Sequence, residues 1–254
     1  TYIATNAYAE FEDTFAEKHY FKALAGYNYE QQDYKSTYSE RNGLLMPDAD
    51  NINFALGDIM SITAGGSRWR YVGAFFRFNY AYDDRYLLEV NGRYDGSSKF
   101  PNNSQWGFFP SASAAWRVSQ EKFWDVSPKA VSNLKLRASY GMTGNYSIAA
   151  YATAGTLHGK YANFNGGELH RPGLEPETRP TPDLEWERNK MLDIGLDFGF
   201  LKGRIHGTID YYDSKSYDLL YLKVLPYTSG FNRAWTNIGD TRNRGWEVSL
   251  STVP

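Results

Sequence analysis

Residues 192–200 read Leu-Asp-Ile-Gly-Leu-Asp-Phe-Gly-Phe, and this stretch decides the fold. Leucine, isoleucine or phenylalanine occupies every second position, with aspartate or glycine between them. Successive side chains of a β-strand point to opposite faces of a sheet. The stretch therefore predicts a strand with one apolar face and one polar face.

The same alternation continues on both sides of this stretch. Apolar side chains take every second position, opposite mostly polar or charged ones, in residues 72–82, 88–95 and 134–140. Further strands are predicted at roughly 1–12, 19–34, 105–118, 204–219 and 243–253. No comparable stretch has apolar residues at sustained helical spacing. The pattern predicts an all-β chain of about nine antiparallel strands.

Two features of these strands favour a membrane-spanning barrel over a soluble sandwich, whose strands also alternate. The predicted strands run to roughly 10 to 15 residues, whereas soluble strands usually have about 5 or 6 and a tilted strand needs about 9 to 11 to cross a bilayer. The polar faces also carry full charges, which suits a water-filled lumen. We expect five polar side chains to face that lumen: Arg93, Asp95, Arg137, Asp193 and Asp197.

The connections between the strands tend to alternate in length. Short connections lie at 13–18, 83–84 and 201–203, and long ones at 35–67, 144–186 and 221–241. Outer-membrane barrels show this asymmetry, with tight periplasmic turns and long extracellular loops. One pair departs from it, because the proposed periplasmic link 119–132 is longer than the proposed external loop 96–104. Connection lengths therefore favour the barrel and leave the sandwich open.

Composition excludes several classes of protein. The chain has 27 Lys and Arg against 29 Asp and Glu, so it lacks the basic excess of a nucleic-acid-binding protein. It has no cysteine, which excludes disulfide scaffolds and cysteine-based zinc sites. No apolar run is long enough for a transmembrane helix. The 21 Tyr, 15 Phe and 7 Trp, with a mean hydropathy of −0.58, suit both a barrel wall and a glycan-binding sandwich.

Enzymatic and metal-binding patterns are weak. The four histidines, at positions 19, 158, 170 and 206, lack metal-ligand spacing. The carboxylates of the proline-rich stretch 172–187 do not define a fixed pair such as a glycosidase requires. No phosphate-binding loop or nucleophile elbow occurs. We therefore expect no catalytic site, metal or cofactor.

Ligand contacts are expected instead in the long loops. Aromatic rings beside Asn and Asp offer apolar stacking with nearby hydrogen bonds, which suits sugar rings. Packing between loops, or contact with a partner protein at the rim, is the competing interpretation. The candidate contact residues are Tyr151, Tyr161, Phe164, Trp186, Tyr227, Phe231 and Trp235.

Seven stretches, in the same order, resemble those of the SusC/RagA family of TonB-linked outer-membrane transporters. The most specific are Asp-Arg-Tyr-Leu-Leu at 84–88 followed by Arg-Tyr-Asp-Gly-Ser-Ser-Lys-Phe at 93–100, and Trp-Gly-Phe-Phe-Pro-Ser-Ala-Ser-Ala-Ala-Trp-Arg at 106–117. The others lie at 134–145, 184–187, 195–199, 210–212 and 228–231. Together they cover about residues 71–250, and the first seventy residues match only in general character.

This resemblance implies a 22-stranded barrel with an N-terminal plug, located in the bacterial outer membrane and powered through TonB. Such transporters import oligosaccharides or oligopeptides with a SusD-like surface lipoprotein. About nine strands cannot close around a plugged lumen of that size, and open edges are not stable in lipid. We therefore expect residues 1–254 to be part of the barrel domain, with the plug, the TonB-contacting segment and the remaining strands outside this chain. The alternative is a soluble or cell-surface β-sandwich that binds glycans.

Overall fold

The computed structural model describes residues 1–46, 48, 51–164 and 169–253, with only the backbone of 160–164 and 169–172. Nine strands form one antiparallel sheet, in which each strand pairs with the next strand of the sheet along the chain. In chain order these are β1 (Tyr2–Phe15), β2 (His19–Arg41), β3 (Ile59–Tyr82), β4 (Tyr86–Ser97), β5 (Trp106–Arg117), β6 (Val131–Asn145), β9 (Glu187–Phe200), β10 (Ile205–Tyr217) and β13 (Thr241–Thr252). The prediction of about nine antiparallel strands is confirmed.

Four shorter strands form a second sheet in the order β11-β12-β8-β7. They are β7 (Thr156–Phe164), β8 (Leu169–Arg179), β11 (Leu220–Val224) and β12 (Arg233–Asn237). β7 and β8 lie between β6 and β9, and β11 and β12 lie between β10 and β13. The two long connections predicted as loops at 144–186 and 221–241 therefore fold together into a sheet of their own.

The register of the large sheet brings the apolar positions of neighbouring strands onto one face. One row across seven strands consists of Tyr80, Leu88, Ala114, Ala138, Ile194, Tyr211 and Trp246. Ile194 in this row is 50% exposed and Trp246 is 71% exposed. No second layer covers this apolar face in the part of the chain that the structure describes. The sandwich alternative, which requires two packed sheets, is therefore wrong.

Tight turns join β1 to β2, β3 to β4 and β9 to β10 at one end of the sheet, which we call the turn end. Asp83 and Asp84 both have positive φ, at 51° and 53°, as do Leu201, Lys202 and Gly203 between β9 and β10. Turns of this backbone type match the twist of the flanking strands, and Asp and Gly tolerate them best. The predicted hairpins at 83–84 and 201–203 are confirmed.

The boundaries at the opposite end, which we call the loop end, differ from the prediction. β2 continues to Arg41 and β3 begins at Ile59, so much of the predicted loop 35–67 is a paired extension of the hairpin. The external loop predicted at 96–104 begins later than expected, because Gly96 remains in β4 and pairs with β3 and β5. Backbone pairing continues here without the clean apolar alternation from which the strand ends were predicted.

Pro110 behaves as a residue without a backbone donor should. The pairing between β5 and β6 ends at Ser111, whereas the pairing between β4 and β5 continues past Pro110 without a register shift. A proline in a sheet is tolerated only where a ladder hydrogen bond is dispensable.

Buried residues are concentrated at the loop end. The main hydrophobic cluster consists of Tyr71, Phe100, Phe109, Ile148, Ala152, Leu184 and Trp186. Two of these belong to strands β3 and β5, and the other five come from the connections 98–105 and 146–186. We call this cluster together with the four-stranded sheet the cap. No helix among the described residues is long and apolar enough to cross a membrane.

Candidate functional site

The polar face of the large sheet, opposite the apolar rows, holds its charges in two groups. In the group nearer the turn end, Arg137 of β6 reaches across two neighbouring strands. Its Nε lies 2.8 Å from Asp197 Oδ1 and its Nη2 lies 2.7 Å from Asp210 Oδ1. Asp193 approaches Nη1 at 3.9 Å. One guanidinium thus joins β6, β9 and β10 through charge-assisted hydrogen bonds.

Gly195 makes this bridge possible. A Cβ atom at position 195 would lie 2.3 Å from Asp210 Oδ1 and 2.7 Å from Arg137 Nη2. Both distances are shorter than real Cβ contacts, so any other residue would displace the ion pair. The glycine in the Leu-Asp-Ile-Gly-Leu-Asp-Phe-Gly-Phe stretch therefore leaves room for a neighbouring side chain.

The second group lies nearer the loop end and is built around Arg93 of β4. Its guanidinium donates to both carboxylate oxygens of Asp95, at 3.0 and 3.1 Å, and to the Tyr71 hydroxyl at 3.1 Å. The same guanidinium lies 5.4 Å above the ring of Phe75. Asp95 is only 5% exposed, so this charge is held by its partner rather than by solvent.

A recess of about 740 Å³ opens on the polar face around this second group. Its walls combine aromatic rings with hydrogen-bonding groups: Tyr71, Phe75, Phe109, Arg77, Asn91, Arg93 and Asp95. Aromatic walls combined with polar groups that can fix a ligand's orientation are found in small-molecule sites. Ring faces beside a guanidinium and amides can stack on a sugar or an aromatic side chain and fix its orientation.

The cap forms the end wall of this region. The Trp186 ring stacks on Phe100 with centroids 5.0 Å apart and meets Phe109 at 5.4 Å. Its Nε1 donates to the backbone carbonyls of Ser104 and Gln105 at 3.0 and 3.2 Å. Because Phe109 projects from the polar face of β5, this packing holds the loops against the inside of the sheet.

Lys99, in the loop between β4 and β5, lies between two rings of the same region. Its ammonium is 5.1 Å from the ring centroid of Trp69 and 5.2 Å from that of Tyr146. Burial lowers the pKa of Lys99, because the charged form loses solvation. Within the described residues, no group of His, Asp and Glu side chains is arranged to hold a metal ion.

Residues 1–252 match the TonB-dependent receptor-like β-barrel family. The chain belongs to this family. It is therefore a section of the wall of an outer-membrane β-barrel, and the apolar face of the large sheet is the lipid-facing side. We propose that the polar face, with both charged groups and the recess, is the lumen side.

Curated relatives agree with this assignment. The chain is 35% identical over 246 residues to TonB-dependent receptor P26 of Formosa agariphila, which covers 96% of this chain and 24% of that protein. It is 38% identical over 197 residues to TonB-dependent receptor SusC of Bacteroides thetaiotaomicron, covering 76% of this chain and 19% of that protein. The chain thus spans about a quarter or less of the length of these relatives.

Solved structures give the same fold. The RagAB peptide importer in its closed-closed state superposes with a TM-score of 0.83 at 27% identity, over 98% of this chain and 27% of that chain. The siderophore receptor PirA from Acinetobacter baumannii superposes at 0.62 with 15% identity, covering 98% of this chain and 34% of that chain, a likeness of fold alone. The resemblance to SusC/RagA-type transporters predicted from sequence motifs is confirmed.

The five polar side chains predicted to face the lumen lie on one face of this TonB-dependent receptor section. Arg137, Asp193 and Asp197 form the first charged group, and Arg93 with Asp95 forms the second. The sequence pattern placed them on a common face and did not predict which would pair. Their contact with cargo or with a plug stays a prediction.

The seven loop aromatics have different surroundings. Tyr227 is 93% exposed and Tyr151 is 52% exposed, whereas Trp186 is 3% exposed and packs inside the cap. Phe231 and Trp235 are half-buried, and Trp235 contacts the cap cluster. The side chains of Tyr161 and Phe164 lie outside the described residues. Trp186 offers no free ring face to a ligand, so we assign it to packing; for the exposed rings, ligand contact stays a prediction.

Three aromatic residues that line the recess were not predicted from the sequence: Tyr71, Phe75 and Phe109. Each stands at a position whose strand neighbours face lipid, so each is an aromatic ring on the lumen side. The signal was present in the sequence, because Phe75 and Phe109 interrupt the polar half of an otherwise regular alternation. An apolar ring in a wet lumen is a candidate for contact with cargo or with a loop.

Proposed function

We propose that this chain forms part of the wall and part of the mouth of a TonB-dependent importer. The importer carries oligosaccharides, or alternatively oligopeptides, across the bacterial outer membrane. The observation that carries the proposal is the recess on the lumen side below the cap. It lies at the loop end of the strands, which is the extracellular end in such barrels, and so on the path of an entering solute.

The chemistry of the recess suits a sugar chain first. The ring of Phe75 can stack on the apolar face of a pyranose, while Arg93 and Asn91 can hydrogen-bond its hydroxyls. Peptide is the second candidate cargo, supported by the similarity to a peptide importer. An extended peptide could use the same guanidinium for its carbonyl groups.

The proposed importer acts with a SusD-like lipoprotein at the extracellular mouth and receives energy from TonB through a region outside this chain. The surface available to a lipoprotein is the exposed side of the cap, where Tyr227, Leu174 and Tyr221 project into solvent. Exposed aromatic and apolar side chains of this kind are common in protein–protein contacts. Tyr151 and Phe231 belong to the same set of proposed contacts with cargo or lipoprotein.

The test compares two phenylalanines of β3 in the full-length protein. Phe75 faces the lumen recess, and Phe78 faces lipid three positions along the same strand. We expect Phe75→Ala to weaken binding of a labelled oligosaccharide about tenfold, as the loss of one stacking contact implies. Phe78→Ala, checked for equal amounts of heat-modifiable barrel in the outer membrane, should leave cargo affinity unchanged.

Binding and uptake are measured with an oligosaccharide pool and with an oligopeptide pool in parallel. A loss confined to the oligosaccharide supports the first cargo, and a loss confined to the peptide transfers the proposal to the second. Equal affinity in wild type and Phe75→Ala for both pools would remove the recess from the transport path.

A further inference from the structure

The lipid-facing side of β9, β10 and β13 changes abruptly from apolar to charged towards the loop end. Ile194, Tyr211 and Trp246 form an apolar row, and one row further towards the loop end lie Leu192, Asp213 and Arg244. The next row consists of cations on all three strands: Lys190, Lys215 and Arg242.

Three cations in one row are an unfavourable arrangement for a sheet. Lys215 is the direct cross-strand partner of both Lys190 and Arg242, and like charges directly opposite each other destabilise strand pairing. Two of these cations also lie close together over one aromatic ring. The ammonium groups of Lys190 and Lys215 are 4.9 and 4.2 Å from the ring centroid of Tyr217. An anion bound at this row would relieve the repulsion.

The carboxylates nearby compensate only part of the charge. Asp213 forms a two-pronged ion pair with Arg242, with one contact at 2.8 Å, and Asp240 lies 3.3 Å from the Lys215 ammonium. Arg244 adds a fourth cation to the patch. Within the described residues, Lys190 has no carboxylate partner in ion-pair range. Four cations against two carboxylates leave the patch with an excess positive charge.

The position of the patch selects the kind of anion. The loop end of the strands is the extracellular end, and the face is the lipid-facing one, so the patch borders the apolar wall at headgroup level. Lys and Arg side chains at this level bind phosphate through charge-assisted hydrogen bonds. Trp246 and Val248, both 71% exposed, continue the same surface towards the membrane interior and can receive acyl chains.

We propose that Lys190, Lys215, Arg242 and Arg244 form a binding site for a phosphate-bearing lipid headgroup of the outer leaflet. The lipid phosphate lies over the row of cations, and its acyl chains lie along the apolar face below. The site is on the outer wall, separate from the lumen recess, and does not depend on which cargo the barrel carries.

The test uses the full-length protein, purified in detergent and examined by native mass spectrometry with added lipid A. We expect the double variant Lys190→Gln/Lys215→Gln to bind lipid A about tenfold more weakly than wild type, while dephosphorylated lipid A binds both equally. The matched control is Lys202→Gln/Arg204→Gln, which removes two cations from the turn end of the same strands. This control should retain wild-type affinity.

Three outcomes would overturn the proposal. Unchanged lipid A binding in the double variant, with heat-modifiable barrel present, would show that the patch does not hold the phosphate. Displacement of lipid A by an equal concentration of inorganic phosphate would identify a free-anion site. A change in oligomeric state of the lipid-free double variant would identify an acidic protein surface as the partner. Arg244→Gln, tested alone, provides a second variant with an independent effect on lipid A affinity.

Discussion

The wall and the cap of this chain are stabilised in different ways. The wall leaves large apolar side chains such as Ile194 and Val248 exposed on its outer face, because lipid and not protein covers them. The cap buries Trp186, Leu184 and Phe100 almost completely, as a soluble domain does. The membrane thus imposes a strict period of two on the wall, and packing against other loops imposes no simple period on the cap.

Among the substitutions considered, the largest loss of stability is expected in the cap. Trp186→Ala removes a ring that contacts Phe100, Phe109 and Tyr146, and should destabilise the cap by about 3–5 kcal/mol. Limited proteolysis of the full-length protein should then cut within the connection 146–186, while the heat-modifiable migration of the barrel is kept. Tyr227→Ala, at a 93% exposed ring, is the control and should remain resistant. Loss of the barrel band in Trp186→Ala would show that wall and cap are one folding unit.

An added charge should destabilise the wall more on its lipid face than on its lumen face. Ile194→Arg places a charge in lipid and should destabilise the barrel by about 2–4 kcal/mol, depending on its depth. Ser139→Arg places the same charge on the lumen face, opposite Asp193, and should cost little. The two variants are compared by the temperature at which the folded band disappears on a heat-modifiability gel. Similar losses in both would contradict the assignment of the faces.

A smaller effect is expected at the lumen ion-pair group. Arg137→Met leaves Asp197 and Asp210 without their shared guanidinium and should cost about 1–2 kcal/mol, reduced by the partial exposure of these groups. Arg137→Lys keeps the charge but cannot reach both carboxylates in the same geometry, so its unfolding temperature should lie between those of Arg137→Met and wild type. A lysine variant as unstable as Arg137→Met would indicate that shape rather than charge matters.

The smallest expected change in stability depends on pH and comes from a glutamate at the turn end of the wall. Glu121, in the link between β5 and β6, accepts hydrogen bonds from the Trp116 indole at 2.9 Å and the Arg85 guanidinium at 2.8 Å. Hydrogen bonds from Tyr86, Trp116 and Arg85 lower the pKa of Glu121. The stabilisation is therefore present above the usual glutamate pKa of about 4.3 and is lost as pH falls through the lowered value.

The measurement is the unfolding temperature of the full-length protein between about pH 7 and about pH 3, a range that spans the glutamate pKa. Glu121→Gln should unfold at a lower temperature than wild type near neutral pH, and the difference should vanish in acid. Glu17→Gln, at an exposed turn residue, should match wild type throughout. A difference that stays constant with pH would assign the effect to packing instead of charge.

The strands of the wall could be predicted from the sequence, because contact with lipid on one face requires a regular alternation of apolar and polar residues. In β9, the apolar residues from Leu192 to Phe200 all fall on the face that the structure assigns to lipid. The strand ends were less predictable, since β2 and β3 stay paired beyond the clean alternation, up to Arg41 and from Ile59. Pairing there needs only backbone hydrogen bonds, which leave little trace in the sequence.

The candidate site was predicted only in part. The charges Arg93 and Asp95 were assigned to the lumen side, but the contacts of Arg93 with Tyr71 and Phe75 cross from one strand to the next. Trp186 was predicted as a ligand contact because it lies in a long aromatic loop, and its burial follows from Phe109, which is distant in sequence. Contacts between segments so far apart cannot be read from a local pattern.

The most direct test of the account is a scan of spin labels along β9 in the full-length protein, from position 192 to position 198. We expect a period of two: labels at 192, 194, 196 and 198 are accessible to oxygen dissolved in lipid, and labels at 193, 195 and 197 to a water-soluble nickel complex. Accessibility without alternation, or with the two faces exchanged, would contradict the assignment of this sheet to a barrel wall between lipid and lumen.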